Sequence, residues 1–151
     1  MRRAPKVPPL LVLGVAAGTA WLIDRMAGPS LTTPGFQVAG ALVASLGGSV
    51  AFAGVVEFRR AQTTVNPIRP EGASALVVSG IYRLTRNPMY LGFVLILMGW
   101  MLALASLPGA AISVAFVWYM DRFQIPPEEA ALRTRFGGVY DAYVLRVRRW
   151  L

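Results

Sequence analysis

The stretch from Asn87 to Met120, NPMYLGFVLILMGWMLALASLPGAAISVAFVWYM, holds 34 residues and no charge. A bilayer core of about 30 Å is crossed by around 20 helical residues. As one helix, at about 1.5 Å per residue, this run would reach roughly 50 Å, too long for a single crossing. Ser106-Leu107-Pro108-Gly109 interrupts it with a turn signal. The stretch therefore predicts two membrane helices, 88–106 and 109–125, joined by a tight hairpin.

Two further uncharged runs precede it, 17 residues from Val7 to Ile23 and 26 from Leu31 to Val56. They predict spans over 7–26, with Asp24 and Arg25 at the lip, and 35–57, starting after Pro34-Gly35. The first run has a rival reading as a cleaved signal peptide. Arg2, Arg3 and Lys6 make a basic start, and Gly18-Thr19-Ala20 is a small-x-small site. Its apolar character continues through Trp21-Leu22-Ile23 and more spans follow, which favours a retained helix. The expected fold is all-α: a single-domain integral membrane bundle over 1–151, with four transmembrane helices and a C-terminal amphipathic helix over 127–151.

Composition agrees. Of 151 residues 56% are hydrophobic and only 15% are charged, against roughly 25% in an average soluble domain. The net charge is +8, and there is no Cys and no His. Their absence excludes disulfides, Cys/His metal sites and Cys/His nucleophile–base pairs; no metal is expected. The basic residues test the topology. With four spans and both termini inside, every one except Arg25 falls on the cytoplasmic side, as the positive-inside rule requires. The charge is thus matched to an anionic leaflet, and no basic-aromatic motif calls for nucleic acid. Fourteen Arg against one Lys, with abundant Ala and Gly, suggests a GC-rich bacterial genome and hence a multi-pass protein of a bacterial inner membrane.

Two cytoplasmic segments remain. The loop 59–87 is long for a compact protein, and such loops tend to be functional. Its apolar Ala75-Leu76-Val77-Val78 and Ile81-Tyr82 predict packing against the helices, while Asn66-Pro67, Arg69-Pro70-Glu71-Gly72 and Ser79-Gly80 read as turns. After span four, Pro126-Pro127 is expected to end one helix and start another, with Glu128 and Glu129 in the first turn, where carboxylates suit the helix dipole. Leu132, Phe136, Tyr140, Tyr143, Val147 and Trp150 then recur at spacings of three and four. They predict an interfacial amphipathic helix with a break at Gly137-Gly138. Since spans three and four form one hairpin, Arg86-Asn87-Pro88 and Glu128-Glu129 should meet at its cytoplasmic end.

Here the sequence resembles a known family, the integral-membrane methyltransferases related to isoprenylcysteine carboxyl methyltransferase and to phospholipid N-methyltransferases. The resemblance is carried by Ser79-Gly80-Ile81-Tyr82, then Arg86-Asn87-Pro88-Met89-Tyr90-Leu91-Gly92, then Glu128-Glu129-x-x-Leu132, Phe136-Gly137, Tyr140, Tyr143 and Arg148-Arg149-Trp150, in that order around an uncharged hairpin. It covers about Thr63 to Leu151. It implies a helical membrane bundle that binds S-adenosylmethionine on its cytoplasmic side. The implied cofactor contacts are Asn66, Ser74, Ala75, Leu76, Val77, Tyr82, Asn87, Pro88, Met89, Tyr90 and Glu128. Two positions depart from the family. Asn87 stands where the family usually has His. The prenylcysteine enzymes carry an Arg before the acidic pair that helps hold the substrate carboxylate; a gapless match puts Gln124 there, and Arg122 is the nearest Arg. Both are candidate substrate contacts.

These residue types suit methyl transfer from a sulfonium, an in-line displacement in which positioning is most of the task. A carboxylate such as Glu128 can accept from the cofactor's amino group or ribose hydroxyls. Tyr82 and Tyr90 can face the sulfonium through cation–π contact. Arg86 could orient an anionic acceptor, and Glu129 is the nearest proton acceptor should the acceptor be an amine. The expected acceptor is lipophilic, partitions into the bilayer and presents a polar end at the cytoplasmic face. Plainer readings stand beside these. Asn87 before Pro88 is a good helix cap, the Glu pair suits a helix start, and Gly40, Gly47, Gly48 and Gly54 serve close helix packing. Tyr140, Tyr143 and Trp150 are expected as interfacial aromatics. The alternatives are a phospholipid amine or small lipophilic thiol as acceptor, or a non-enzymatic membrane scaffold.

Overall fold

A computed structural model describes residues 7–28, 32–62 and 74–151, with only the backbone of Leu107 and Pro108. The elements are α1 (Pro9–Met26), α2 (Pro34–Arg60), a 3-10 turn (Gly80–Arg83), α3 (Pro88–Leu104), α4 (Leu107–Tyr119), a π segment (Met120–Gln124), α5 (Ile125–Phe136) and α6 (Gly138–Arg146). There is no strand among the described residues. Helices α1, α2 and α3 each open on a proline, whose missing N–H is one of those left unpaired at a helix start. The hairpin turns where the sequence predicts. Ala105 takes the left-handed conformation with φ +50°, and Ser106 caps α4 by accepting from the amide of Gly109 at 3.3 Å.

Helices α1 and α2, of 18 and 27 residues, are long and apolar enough to cross a membrane. α3 is an apolar helix of 17 residues, about 25 Å long. Many large apolar side chains face outward. Leu10, Leu11 and Val15 of α1, Leu42, Leu46 and Phe52 of α2, and Val114 and Trp118 of α4 are exposed. In water such a surface would be an aggregation patch; against hydrocarbon it is the expected exterior.

The α2–α3 contact is the most extensive in the molecule, and glycine makes it possible. A Cβ on Gly40 would lie 2.5 Å from the carbonyl oxygen of Gly99, and one on Gly47 would lie 2.6 Å from that of Gly92. Gly92 and Gly99 meet α2 just as closely in return. Gly54 continues the row against Met89 and Pro88, whereas Gly48 faces open space and plays no part. The rest of the core joins α1, α3 and α4 through Ala20, Tyr90, Leu97, Met101, Phe116 and Met120.

Two expectations about the C-terminal third are corrected. Pro126-Pro127 does not end a helix: the chain runs helically from Leu107 to Phe136. The π turn widens the ladder just before the prolines, with the amide of Ile125 reaching back to the carbonyl of Met120. The prolines then sit in the first turn of α5. The segment predicted as an interfacial helix over 127–151 is interrupted at Gly137, with φ +52°, where the sequence places a break; it forms α5 and α6 but stops at Arg146, and an extended tail follows. Tyr140 and Tyr143 do not lie at an exposed interface. They are buried with Val147, against Leu76, Leu132 and Phe136, in a second small core.

Candidate active site

The tail folds back over the start of α3 and fixes it. Thr85 is 1% exposed; its hydroxyl donates to the carbonyl of Arg149 at 3.1 Å and accepts from the amide of Asn87 at 3.1 Å. The Asn87 side-chain amide donates to the same Arg149 carbonyl at 3.0 Å, and the Arg86 amide to the carbonyl of Arg148 at 3.0 Å. Asn87 thus occupies the N-cap position without a side-chain cap. A neutral amide donor serves this backbone acceptor without needing to ionise.

One turn into α3, Tyr90 faces the π segment. Its hydroxyl donates to Oε1 of Glu128 at 2.6 Å. Gln124, which is fully buried, donates from Nε2 to the same oxygen at 2.7 Å and to the Tyr90 hydroxyl at 3.3 Å. Burial pushes the Glu128 carboxyl up to about 7; the hydrogen bonds from Tyr90 and Gln124 act against this, and the neighbouring Glu129 charge adds to it. Oε1 of Gln124 is buried with no partner among the described residues. A buried, unpaired acceptor costs free energy in the folded chain and marks a place where a donor would be held. π turns recur at functional sites, and this one carries the triad's only amide.

Glu129 points the other way, into a two-arginine clamp. Arg86 Nη1 lies 3.1 Å from Oε1, and Arg149 Nη2 donates to Oε2 at 2.6 Å. Arg149 also reaches Asp121 at 3.1 Å, and the indole of Trp150 donates to the same carboxylate at 3.2 Å. Arg86 further donates to the Tyr140 hydroxyl at 3.4 Å, while its Nε is buried and unpartnered.

Tyr82 is buried edge-on against Phe58, with ring centroids 5.5 Å apart. Its phenol has no hydrogen-bond partner, and its carbonyl accepts from the Tyr143 hydroxyl at 2.7 Å. Burial raises the Tyr82 phenol, helped by Tyr143, Glu128 and Glu57, so it stays protonated. Tyr143 is raised by its own burial.

The structure therefore brings Tyr82, Asn87, Pro88, Tyr90, Gln124 and Glu128 to the end of the α3–α4 hairpin opposite its turn, with Arg86 and Glu129 beside them. Met89 packs instead toward Gly54 of α2. Ser74 and Ala75 lie in the loop, Leu76 packs on the small C-terminal core, and Val77 is buried. Asn66 lies outside the described residues. Arg122 is not part of the cluster: it is exposed and lies over the ring of Phe123, 5.7 Å from its centroid. Sequence reasoning missed Thr85, Asp121 and Glu57. For Asp121 a signal existed, a lone acid ending the 34-residue uncharged run.

The sequence model of the phospholipid methyltransferase family matches residues 36–138. A probable protein-S-isoprenylcysteine O-methyltransferase of Oryza sativa is 33% identical over 97 residues, 64% of this chain and 51% of its own length. Protein-S-isoprenylcysteine O-methyltransferase A of Arabidopsis thaliana is 31% identical over 104 residues, 69% of this chain and 53% of its own. An uncharacterised protein of Haemophilus influenzae matches over its whole length, 40% identical across 63 residues. The chain spans about half the length of these plant relatives. No solved structure matches it significantly. The matched region holds Tyr90, Gln124, Glu128 and the hairpin between them, and the chain belongs to the phospholipid methyltransferase family, with isoprenylcysteine O-methyltransferases among its relatives.

Proposed function

We propose that the protein is an S-adenosylmethionine-dependent methyltransferase that works at the cytoplasmic membrane face on a lipophilic acceptor. The observation that carries this reading is the Tyr90–Gln124–Glu128 cluster, a buried acid at a helix hairpin mouth with an unused amide oxygen beside it. The donor set suits the cofactor. Glu128 as carboxylate can accept from an ammonium or from hydroxyls, and the amide oxygen of Asn87 is a further acceptor type. When bound, S-adenosylmethionine supplies a methyl group already activated on a sulfonium. The chain's part is to hold that group in line with the acceptor and to keep water away, tasks that suit a site of fixed side chains.

Glu129, held by two arginines, serves better as a positioning group for Arg86 than as a proton acceptor. Glu128, titrating near neutrality, is the better group to take a proton. Two acceptor classes each have an observation behind them. The buried, unpartnered Nε of Arg86 suits a carboxylate, the isoprenylcysteine-like reading. The unpartnered oxygen of Gln124, where an arginine would serve a carboxylate, suits an amine such as a phospholipid headgroup.

The test is cofactor binding by purified protein in detergent, followed by transfer of labelled methyl into an extracted membrane lipid pool. Wild type should bind and Glu128→Ala should bind at least about tenfold more weakly, the loss of one charged hydrogen bond. Equal absence of binding in both would end the enzyme reading. Label released by mild alkali identifies a carboxylate acceptor; label that resists it identifies an amine or thiol.

A further inference from the structure

Glu57 takes no part in the cluster around Glu128. It stands in the last turns of α2, closing an uncharged run of 26 residues, with its side chain only 11% exposed. A carboxylate so placed is unfavourable unless its oxygens are hydrogen-bonded. One partner is Arg60, 3.1 Å from Oε1, but that side chain is 74% exposed and on the same helix, so the pair is weak. The other is Ser79, whose hydroxyl donates to Oε2 at 2.5 Å and so ties a different part of the chain to α2. The next residue shows how closely the two parts meet. Gly80 has φ +55°, and a Cβ there would lie 2.5 Å from Cδ of Glu57. The left-handed backbone at 80 favours glycine, and a Cβ there would push the Glu57 carboxylate from its place.

A second tie lies a few residues earlier. Gln62 turns left-handed after the end of α2, with φ +50°, and its carbonyl accepts from the Ser74 hydroxyl at 3.1 Å. The segment 74–79 is thus fastened to the end of α2 at both its ends. Beyond it the Tyr82 amide donates to the Ser79 carbonyl at 3.0 Å, and the Tyr82 carbonyl receives Tyr143 of α6.

We infer that Glu57 is a positioning residue: its carboxylate latches Ser79 to α2 and holds residues 74–82 ready to receive the methyl donor. The inference rests on the methyltransferase reading above for its consequence, though not for its geometry. A loop already ordered gives up less conformational entropy on binding than one that must be ordered by the ligand. Loss of the latch therefore weakens donor binding and leaves the reacting groups as they were.

The test compares Glu57→Ala, Glu57→Gln and Ser79→Ala with wild type in detergent. Glu57→Ala and Ser79→Ala should raise the Kd for S-adenosylmethionine about tenfold, with turnover at saturating donor within about twofold and the KM for acceptor unchanged. Glu57→Gln, whose amide oxygen can still accept from Ser79, should recover most of the affinity. Donor affinity unchanged in both Glu57→Ala and Ser79→Ala overturns the inference, as does turnover lost at saturation or a Gln variant no better than Ala. Should Glu57→Ala fail to fold, Ser79→Ala probes the same bond from the loop side. Hydrogen exchange without donor keeps the two ideas apart: the Tyr82 and Leu84 amides should exchange faster in the variants. If wild type binds no donor, the methyltransferase reading falls, and unchanged exchange at those amides overturns the latch by itself.

Discussion

At Glu128 two influences oppose each other. Burial favours the neutral acid, while the Tyr90 hydroxyl and the Gln124 amide favour the carboxylate; the acid titrates near about 7 rather than near 4.5. Its folded value is raised, so between those pH values the folded chain keeps a proton that the unfolded chain has lost. Stability therefore falls as pH rises through that window and stays lower above it, by up to roughly 3 kcal/mol for this group. Glu128→Gln, neutral at every pH, should remove that slope. Thermal unfolding in detergent should show the variant gaining on wild type between about pH 5 and pH 8. Parallel curves for the two proteins would mean that Glu128 titrates in its ordinary range. The motif made Tyr90 and Glu128 legible in the sequence, because their spacing from Asn87 and Pro127 is local. Gln124 was reached by register against the same acidic pair. Thr85, Asp121 and Glu57 were not legible. Each is a single polar residue whose partner lies 22 to 64 positions away, and no periodicity announces such a pairing.

At the level of elements the fit of α2 against α3 is set by backbone, not by side-chain bulk. The glycines at 40, 47 and 54 recur every seven residues and meet Gly99, Gly92 and the start of α3. A methyl at 47 has no room to be accommodated, because its neighbour is a carbonyl oxygen, so helices must separate. Gly47→Ala should cost about 1–3 kcal/mol, as overpacking does, and lower the thermal midpoint in detergent. Gly48→Ala, one residue on and facing open space, should change it by no more than about 0.5 kcal/mol. Similar losses at both positions would mean that α2 sits in another rotation. The sequence indicated that these glycines serve packing but could not tell 47 from 48; only the partner helix distinguishes them. The π turn was equally hidden. Pro126-Pro127 carries a breaking signal, and the widened turn that accommodates it has no residue signature of its own. Site geometry depends on that turn, since Gln124 ends it and Glu128 lies one turn beyond.

For the whole molecule, the distribution of charge supports one orientation. The described cytoplasmic candidates, Arg59, Arg60, Arg83 and Arg86 before α3 and Arg122, Arg133, Arg135, Arg146, Arg148 and Arg149 after α4, flank the end of the bundle where Glu128 sits; the hairpin turn at Ala105–Gly109 carries no charge. Among the described basic residues only Arg25, at the end of α1, would lie on the opposite side in this orientation. Each Lys or Arg near an anionic leaflet is worth about 1 kcal/mol, so a cluster of this size supports an orientation with that end at the cytoplasmic leaflet. We propose four crossings with both termini cytoplasmic, the arrangement that puts these arginines on one side. α1 and α2 are long enough to cross without help. α3 and the continuous helix from Leu107 to Gln124 are close to the limit, which a slightly thinned bilayer accommodates at modest cost. Reporter fusions measure this directly. A reporter active only in the cytoplasm should be active after residue 151 and within the loop between α2 and the 3-10 turn, and silent when inserted between Ser106 and Gly109. Activity at the hairpin turn, or silence at the C-terminus, would place the Glu128 cluster on the side of the membrane away from the cytoplasmic methyl donor and would overturn the topology and the proposed function together.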